Sequence, residues 1–200
     1  YKNYPTSKMN IYPSHRTAAL PADIDAAIKE GSTKTDLNGF AITDRVRSTV
    51  PFPIPKNGME AVYNHNLKYL GGNLLRSQSS FPVRPNGDFF KVTFVENRIA
   101  NEKMDKPQDN KLYFFTGYFA SPPTLVGTVF LVHEPLDQVK EQRLAWIYNA
   151  GQRRVRRAPD LAYDNVNDGT EGMRFTDQYD GYNGAPDRYD WKLVGKKEMY

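Results

Sequence analysis

Residues 143–200 read RLAWIYNAGQRRVRRAPDLAYDNVNDGTEGMRFTDQYDGYNGAPDRYDWKLVGKKEMY. An aromatic strand is followed by an arginine block, a long loop rich in Asp, Gly and Asn, and a second aromatic strand at 191–200. This order predicts a piece of antiparallel sheet whose loop returns acidic residues to its own arginines. Successive side chains on a strand point to opposite faces, so Arg153 and Arg157 would share one face and Arg154 and Arg156 the other. A nucleic-acid patch would gather its cations on one face. The net charge is only +4, and residues 160–190 bring seven Asp and one Glu directly after the block. Pairing with Asp160, Asp164 and Asp168 is therefore expected, and nucleic acid is not expected as a partner. The alternative role for the four arginines is an anionic partner surface or a lipid headgroup, because guanidinium groups match phosphate geometry.

Working outward, the apolar period is two from residue 89 onward. Strands are expected at 89–98, 111–120, 124–134, 143–149, 153–158 and 191–200. The connections between the successive strands from 89 to 158 are too short for parallel crossovers, which need about a dozen residues or more, so neighbours should be antiparallel in a meander. Upstream, residues 1–55 read as an irregular lead-in with one short helix at 22–30, started by Pro21 and stopped by Gly31. A second helix is expected within 56–72, where Met59, Val62, Tyr63, Asn66, Leu67 and Leu70 recur at three and four residues and Gly71-Gly72 end the run. The whole of 1–200 reads as one domain, with the sheet in 88–200. The fold class is mainly β (α+β): a curved antiparallel sheet or incomplete β-barrel with the 58–70 helix on its concave face.

The strands are more apolar than a sheet with one wet face requires. Leu112, Phe114 and Tyr118 share one face of their strand, and Tyr113, Phe115 and Phe119 share the other. Leu125, Val129 and Leu131 likewise oppose Val126, Phe130 and Val132. Two accounts stand. Helices, loops and a remainder of the protein would cover both faces, or one face would line a cavity for a hydrophobic molecule. For the second account the inward residues are expected to be Phe90, Phe94, Phe114, Tyr118, Val129 and Trp146.

Searches for catalytic chemistry fail. His15, His65 and His133 are the three histidines, and none sits in an HExxH or H-x3-H arrangement that would bind zinc. Ser14 beside His15 lacks a GxSxG elbow. Neither GxGxxG nor GxxxxGK[ST] occurs, so nucleotide binding has no support. In DNVNDGTEGMRF, counting from Asp164, Val166 and Phe175 occupy positions where a calcium loop needs oxygen ligands. A looser site from Asp164, Asp168 and Glu171 is weighed against a solvated turn. The expectation is a non-enzymatic chain without a metal or other cofactor.

With 39% hydrophobic and 25% charged residues the composition is that of a globular chain. No apolar run approaches the ~20 residues of a membrane span. The absence of cysteine excludes disulfides and thiolate chemistry and is compatible with cytosol and periplasm alike. The chain starts without Met and stops inside what reads as a strand, so it is expected to be a piece of a longer protein, with a signal peptide outside it. A sheet lacking later strands would expose an edge through which copies could pair.

Five runs, IYPSHRTAA, PFPIPKNGMEAVYNH, VHEPLDQVKE, AWIYNAGQRRVRRAP and NGAPDRYDWKLVGKKEMY, resemble those of an uncharacterised proteobacterial family described as outer-membrane lipoprotein-sorting-like. The likeness extends from about Tyr4 to Tyr200. It implies a Gram-negative periplasmic protein, often encoded beside RND-type transporters, with a fold like that of the periplasmic lipoprotein carriers. It implies as partners a hydrophobic molecule or lipid and an RND-type transporter or outer-membrane component. It carries no catalytic residues. The alternative is a structural or protein-interaction module with no small-molecule ligand.

Overall fold

The computed structural model describes residues 6, 8, 10, 12–13, 19–31, 36–43, 50–159 and 161–197. His15, Asp160 and the last three residues of the expected C-terminal strand lie outside these.

Among the described residues two α-helices and eight strands are formed: α1 (Ala22–Gly31), β1 (Asp36–Asn38), β2 (Ala41–Thr43), α2 (Gly58–Asn66), β3 (Leu74–Ser80), β4 (Val92–Ala100), β5 (Lys111–Ser121), β6 (Val129–Pro135), β7 (Leu144–Asn149) and β8 (Arg154–Arg157). The strands make an antiparallel β1-β2 hairpin and a six-stranded antiparallel sheet in the order β3-β4-β5-β6-β7-β8. This is the meander that the short connections require. Its edges, β3 and β8, do not pair with each other, so the sheet stays open instead of closing into a barrel.

Register decides which side chains share a face. One cross-strand row runs Arg76, Glu96, Gly117, Phe130, Ile147, Arg156 from edge to edge. The neighbouring rows on the same inner face place Phe94 opposite Phe119, and Arg98, Phe115, Val132 and Ala145 in line. Val92, Phe119 and Phe130 are buried in one core cluster, with Phe90, Phe94, Phe115, Leu125, Ile147 and Leu161 packed against it. Each large apolar side chain so buried is worth about 1.5–3 kcal/mol.

Three expectations are corrected. The segment LLRSQSS is the edge strand β3, absent from the strands anticipated above. It alternates half-buried and exposed positions, but its inward residues Arg76, Gln78 and Ser80 are polar and carry no apolar period. Residues 191–197 form no strand; they run past α2, where the backbone of Trp191 lies so close to Gly58 that a Cβ there would fall 2.4 Å from the Trp191 carbonyl carbon. Lastly, α2 does not lie across the concave face. Asn57 caps it by accepting from the Glu60 amide at 2.9 Å, and its apolar stripe buries Tyr63, with Leu67 just beyond its end, against Phe52, Leu37, Ile42, Leu112 and Leu136 at the end of the sheet.

The inner face is covered instead by residues 161–183, a strap without regular strands. Backbone bonds Asn167 to Arg174 (3.1 Å), Thr176 to Asn165 (2.8 Å) and Asp177 to Tyr163 (2.8 Å) fold it on itself. It leaves the β8 edge and reaches β3 at the other, where Tyr179 meets Arg76 and Gln78. Among the described residues the outer face has no such cover: Tyr118 is 45% exposed and Leu131 38%, with Leu75, Ile99, Val129 and Val155 also open.

Candidate functional site

Between the inner face and the strap lies a cavity of about 620 Å³, within the ~300–1,000 Å³ range of small-molecule sites. Its floor is apolar: Val92, Phe94, Phe115, Phe119, Phe130 and Ile147, with Leu161 from the strap side. Phe94, Phe119 and Phe130 meet edge to face, with centroids 5.2, 5.9 and 5.8 Å apart, the arrangement that aromatic quadrupoles favour. Gly117 makes this possible, since a Cβ on it would fall 2.3 Å from the Phe94 ring.

The polar part of the lining holds six arginines, Arg76, Arg98, Arg143, Arg156, Arg157 and Arg174, against three carboxylates, Glu96, Glu134 and Asp168. Two carboxylates are committed. Arg143 donates to both Glu134 oxygens at 2.5 and 2.8 Å, to the Leu161 carbonyl at 3.1 Å and to Asn183 Oδ1 at 2.9 Å. Burial opposes its charge, but Glu134 holds the guanidinium protonated well above its ordinary range. Arg76 pairs with Glu96 at 2.9 Å.

Three of the inner arginines, Arg76 included, stand on phenol rings. The Arg98 guanidinium carbon lies 4.9 Å from the Tyr113 centroid, and those of Arg174 and Arg76 lie 5.2 and 5.9 Å from the Tyr179 centroid. Among the described residues Arg98 and Arg174 form no ion pair. The Nε atoms of Arg76 and Arg174 are buried without a hydrogen-bond partner, a state that costs about 1–3 kcal/mol or more for a charged group until an acceptor arrives. Tyr113 keeps its proton far above the usual phenol range, chiefly through burial and then through Glu134.

The residues proposed from sequence separate. Phe94 lines the cavity and Phe90 packs behind it. Phe114, Tyr118, Val129 and Trp146 occupy the opposite, outer face, where Phe114 pairs across with His133 and Val129 with Tyr148. The faces within each strand follow the expected alternation, but the β4 residues were matched with the wrong faces of β5, β6 and β7. Irregularities at Thr93/Phe94 and at Lys111/Tyr113 shift the register between strands, and no composition signal marks them.

Among the described residues the arginine block does not bind the loop after it. Asp164 pairs with Arg188 at 2.9 Å and Glu171 with Arg84 at 2.7 Å, and among the described residues Arg153, Arg154, Arg156 and Arg157 form no ion pair. All four are exposed. Arg156 and Arg157 border the cavity, and Arg157 also stacks on Trp146 at 5.7 Å. With Asp164 and Glu171 so engaged, the looser calcium site is not assembled; among the described residues no group of three His, Cys, Asp or Glu is placed to hold a metal. No described helix is long and apolar enough to cross a membrane. His65 meets the Asp180 carbonyl at 2.5 Å, an anchor for the strap.

A family model described as a protein of unknown function, DUF1329, matches residues 1–200. The chain belongs to the DUF1329 family. A DUF1329 relative, the uncharacterised protein PA3922 of Pseudomonas aeruginosa, is 45% identical over 210 residues that cover 100% of this chain and 45% of the relative. The chain thus spans less than half the length of that relative. No solved structure matches it.

Proposed function

We propose that this DUF1329 chain is a non-enzymatic binding or carrier domain that shelters a hydrophobic molecule or lipid between its inner sheet face and its strap. The observation that carries this is the cavity of about 620 Å³ floored by Phe94, Phe119, Phe130 and Ile147, because an apolar cavity with few polar contacts gives up its free energy to an occupant's hydrocarbon. The setting is the Gram-negative periplasm, where the domain acts as an accessory to an RND-type transporter or to lipid or lipoprotein sorting at the outer membrane. That setting rests on the family resemblance alone.

Titration with N-phenyl-1-naphthylamine, a neutral probe that brightens in apolar surroundings, tests the binding. Saturable uptake with one site per chain, lost in Ile147→Trp while circular dichroism is unchanged, is the expected result. Absence of saturable uptake by the wild type overturns the carrier function. A second function, an interaction module without a ligand, draws on the open outer face with Tyr118, Val129 and Leu131 exposed. It is favoured if Tyr118→Asp or Leu131→Asp abolishes association with a partner while probe uptake stays intact.

A further inference from the structure

We propose that the occupant is an amphiphilic anion, a hydrocarbon body carrying a carboxylate, sulfate or phosphate head, and that Arg98 and Arg174 read the head. This rests on the carrier function above and adds the chemical class of the cargo. A cavity meant for a neutral hydrocarbon has no use for unpaired cations, since a desolvated guanidinium is expensive unless something neutralises it. Here Arg76, Arg98, Arg143, Arg156 and Arg174 outnumber the three carboxylates of the lining, and Glu134 and Glu96 are already held by Arg143 and Arg76. Asp168, on the exposed part of the strap, is the carboxylate left over.

The free cations are also pre-positioned. Tyr113 and Tyr179 hold the Arg98 and Arg174 guanidiniums by their ring faces, which fixes the planar groups without consuming their N–H donors. The Arg174 Nε donor, and beside it that of Arg76, is buried with no acceptor. The apolar row from Gly117 through Phe130 to Ile147 runs directly away from this pole, so a head bound there lays its tail along the floor. At the far edge Arg156, exposed and unpaired among the described residues, raises the local concentration of anions.

Competition against the bound naphthylamine probe tests the headgroup, using dodecanoate, dodecanol, dodecyltrimethylammonium and inorganic phosphate at neutral pH. Dodecanoate is expected to displace the probe at least tenfold more effectively than dodecanol, with the ammonium weakest, and raised salt should narrow the gap. In Arg98→Gln/Arg174→Gln the dodecanoate value should fall to that of dodecanol, whose own value is unchanged; Arg154→Gln, outside the lining, should leave the preference intact. Equal displacement by dodecanoate and dodecanol in the wild type overturns the anionic head and leaves the carrier standing. Failure of every probe to bind overturns both. Phosphate that binds as tightly as dodecanoate without displacing the probe also overturns the inference, by showing a site for free anions. Should the double variant not fold, the wild-type ratio of dodecanoate to dodecanol decides.

Discussion

Arg143 and Glu134 close on each other in a bidentate pair, their side chains 4% and 2% exposed, where the end of β6 meets the start of β7. Because Arg143 also donates to Leu161 and Asn183, one guanidinium joins the sheet to both ends of the strap. Truncating one partner strands the other charge in a dry site, so Arg143→Met should destabilise the fold by about 3–5 kcal/mol. The double variant Arg143→Met/Glu134→Leu should recover much of that loss while the strap loosens. Urea unfolding of the two variants is the check, and equal losses in both would show that the pair is not the source of the effect.

Gly117→Ala puts a methyl where the Phe94 ring lies, at 2.3 Å. The ring must swing into the cavity, so the variant should lose about 1–3 kcal/mol and take up less probe. A variant with wild-type uptake would mean that Phe94 moves outward instead, away from the floor.

His133 sits edge-on to Phe114 at 4.7 Å and to Trp146 at 4.9 Å on the outer face. Burial first, and then the Lys111 charge, hold its pKa below the ordinary 6.5, against an opposing pull from Glu141. A histidine kept neutral by the fold binds fewer protons than the unfolded chain. Its contribution is therefore whole above pH 6.5 and is lost as pH falls from there through the folded value. His133→Phe should flatten that part of the stability curve, read from urea midpoints at a series of pH values; curves that stay parallel count against it.

Arg84 holds the tip of the strap through Glu171, donating from Nε and Nη2 to its two carboxylate oxygens at 3.0 and 2.7 Å. The Arg84 hydrogen bonds keep the Glu171 carboxyl below its ordinary range, as those of Arg188 do for Asp164. Both anchors are thus present above the ordinary carboxylate range and fade as pH drops through the lowered values. Arg84→Gln should speed amide exchange in residues 165–176 at neutral pH. Arg154→Gln, by contrast, should leave strap exchange unchanged, contrary to what the arginine-rich sequence suggests. Hydrogen-exchange mass spectrometry separates the two.

The sequence makes the meander legible because four strands, β4 to β7, carry apolar residues at period two and are joined by short connections, which leaves few topologies. It hides β3, whose inward Arg76, Gln78 and Ser80 are polar, the first two hydrogen-bonding to the strap through Tyr179. Within β5 the alternation of Phe114 and Phe115 is plain in the sequence, yet which of them meets Phe94's face depends on a register shift at Thr93/Phe94. The Asp-rich loop reads as the partner of the arginine block beside it; Asp164 and Glu171 are in fact taken by Arg188 and Arg84, farther off in sequence. The cationic pole was therefore invisible, being built from β3, β4 and the strap.

A barrel keeps its shape through a ladder of backbone bonds that must break together, but here β3 and β8 are held by a chain that crosses between them like a bowstring. Its fastening at the β3 end is a Tyr179 phenol and a few side chains. String length and sheet bend would then be one mechanical variable, and slackening that end would be expected to flatten the floor and widen the mouth together. In the proposed carrier, loading and release would need no ladder to be unzipped.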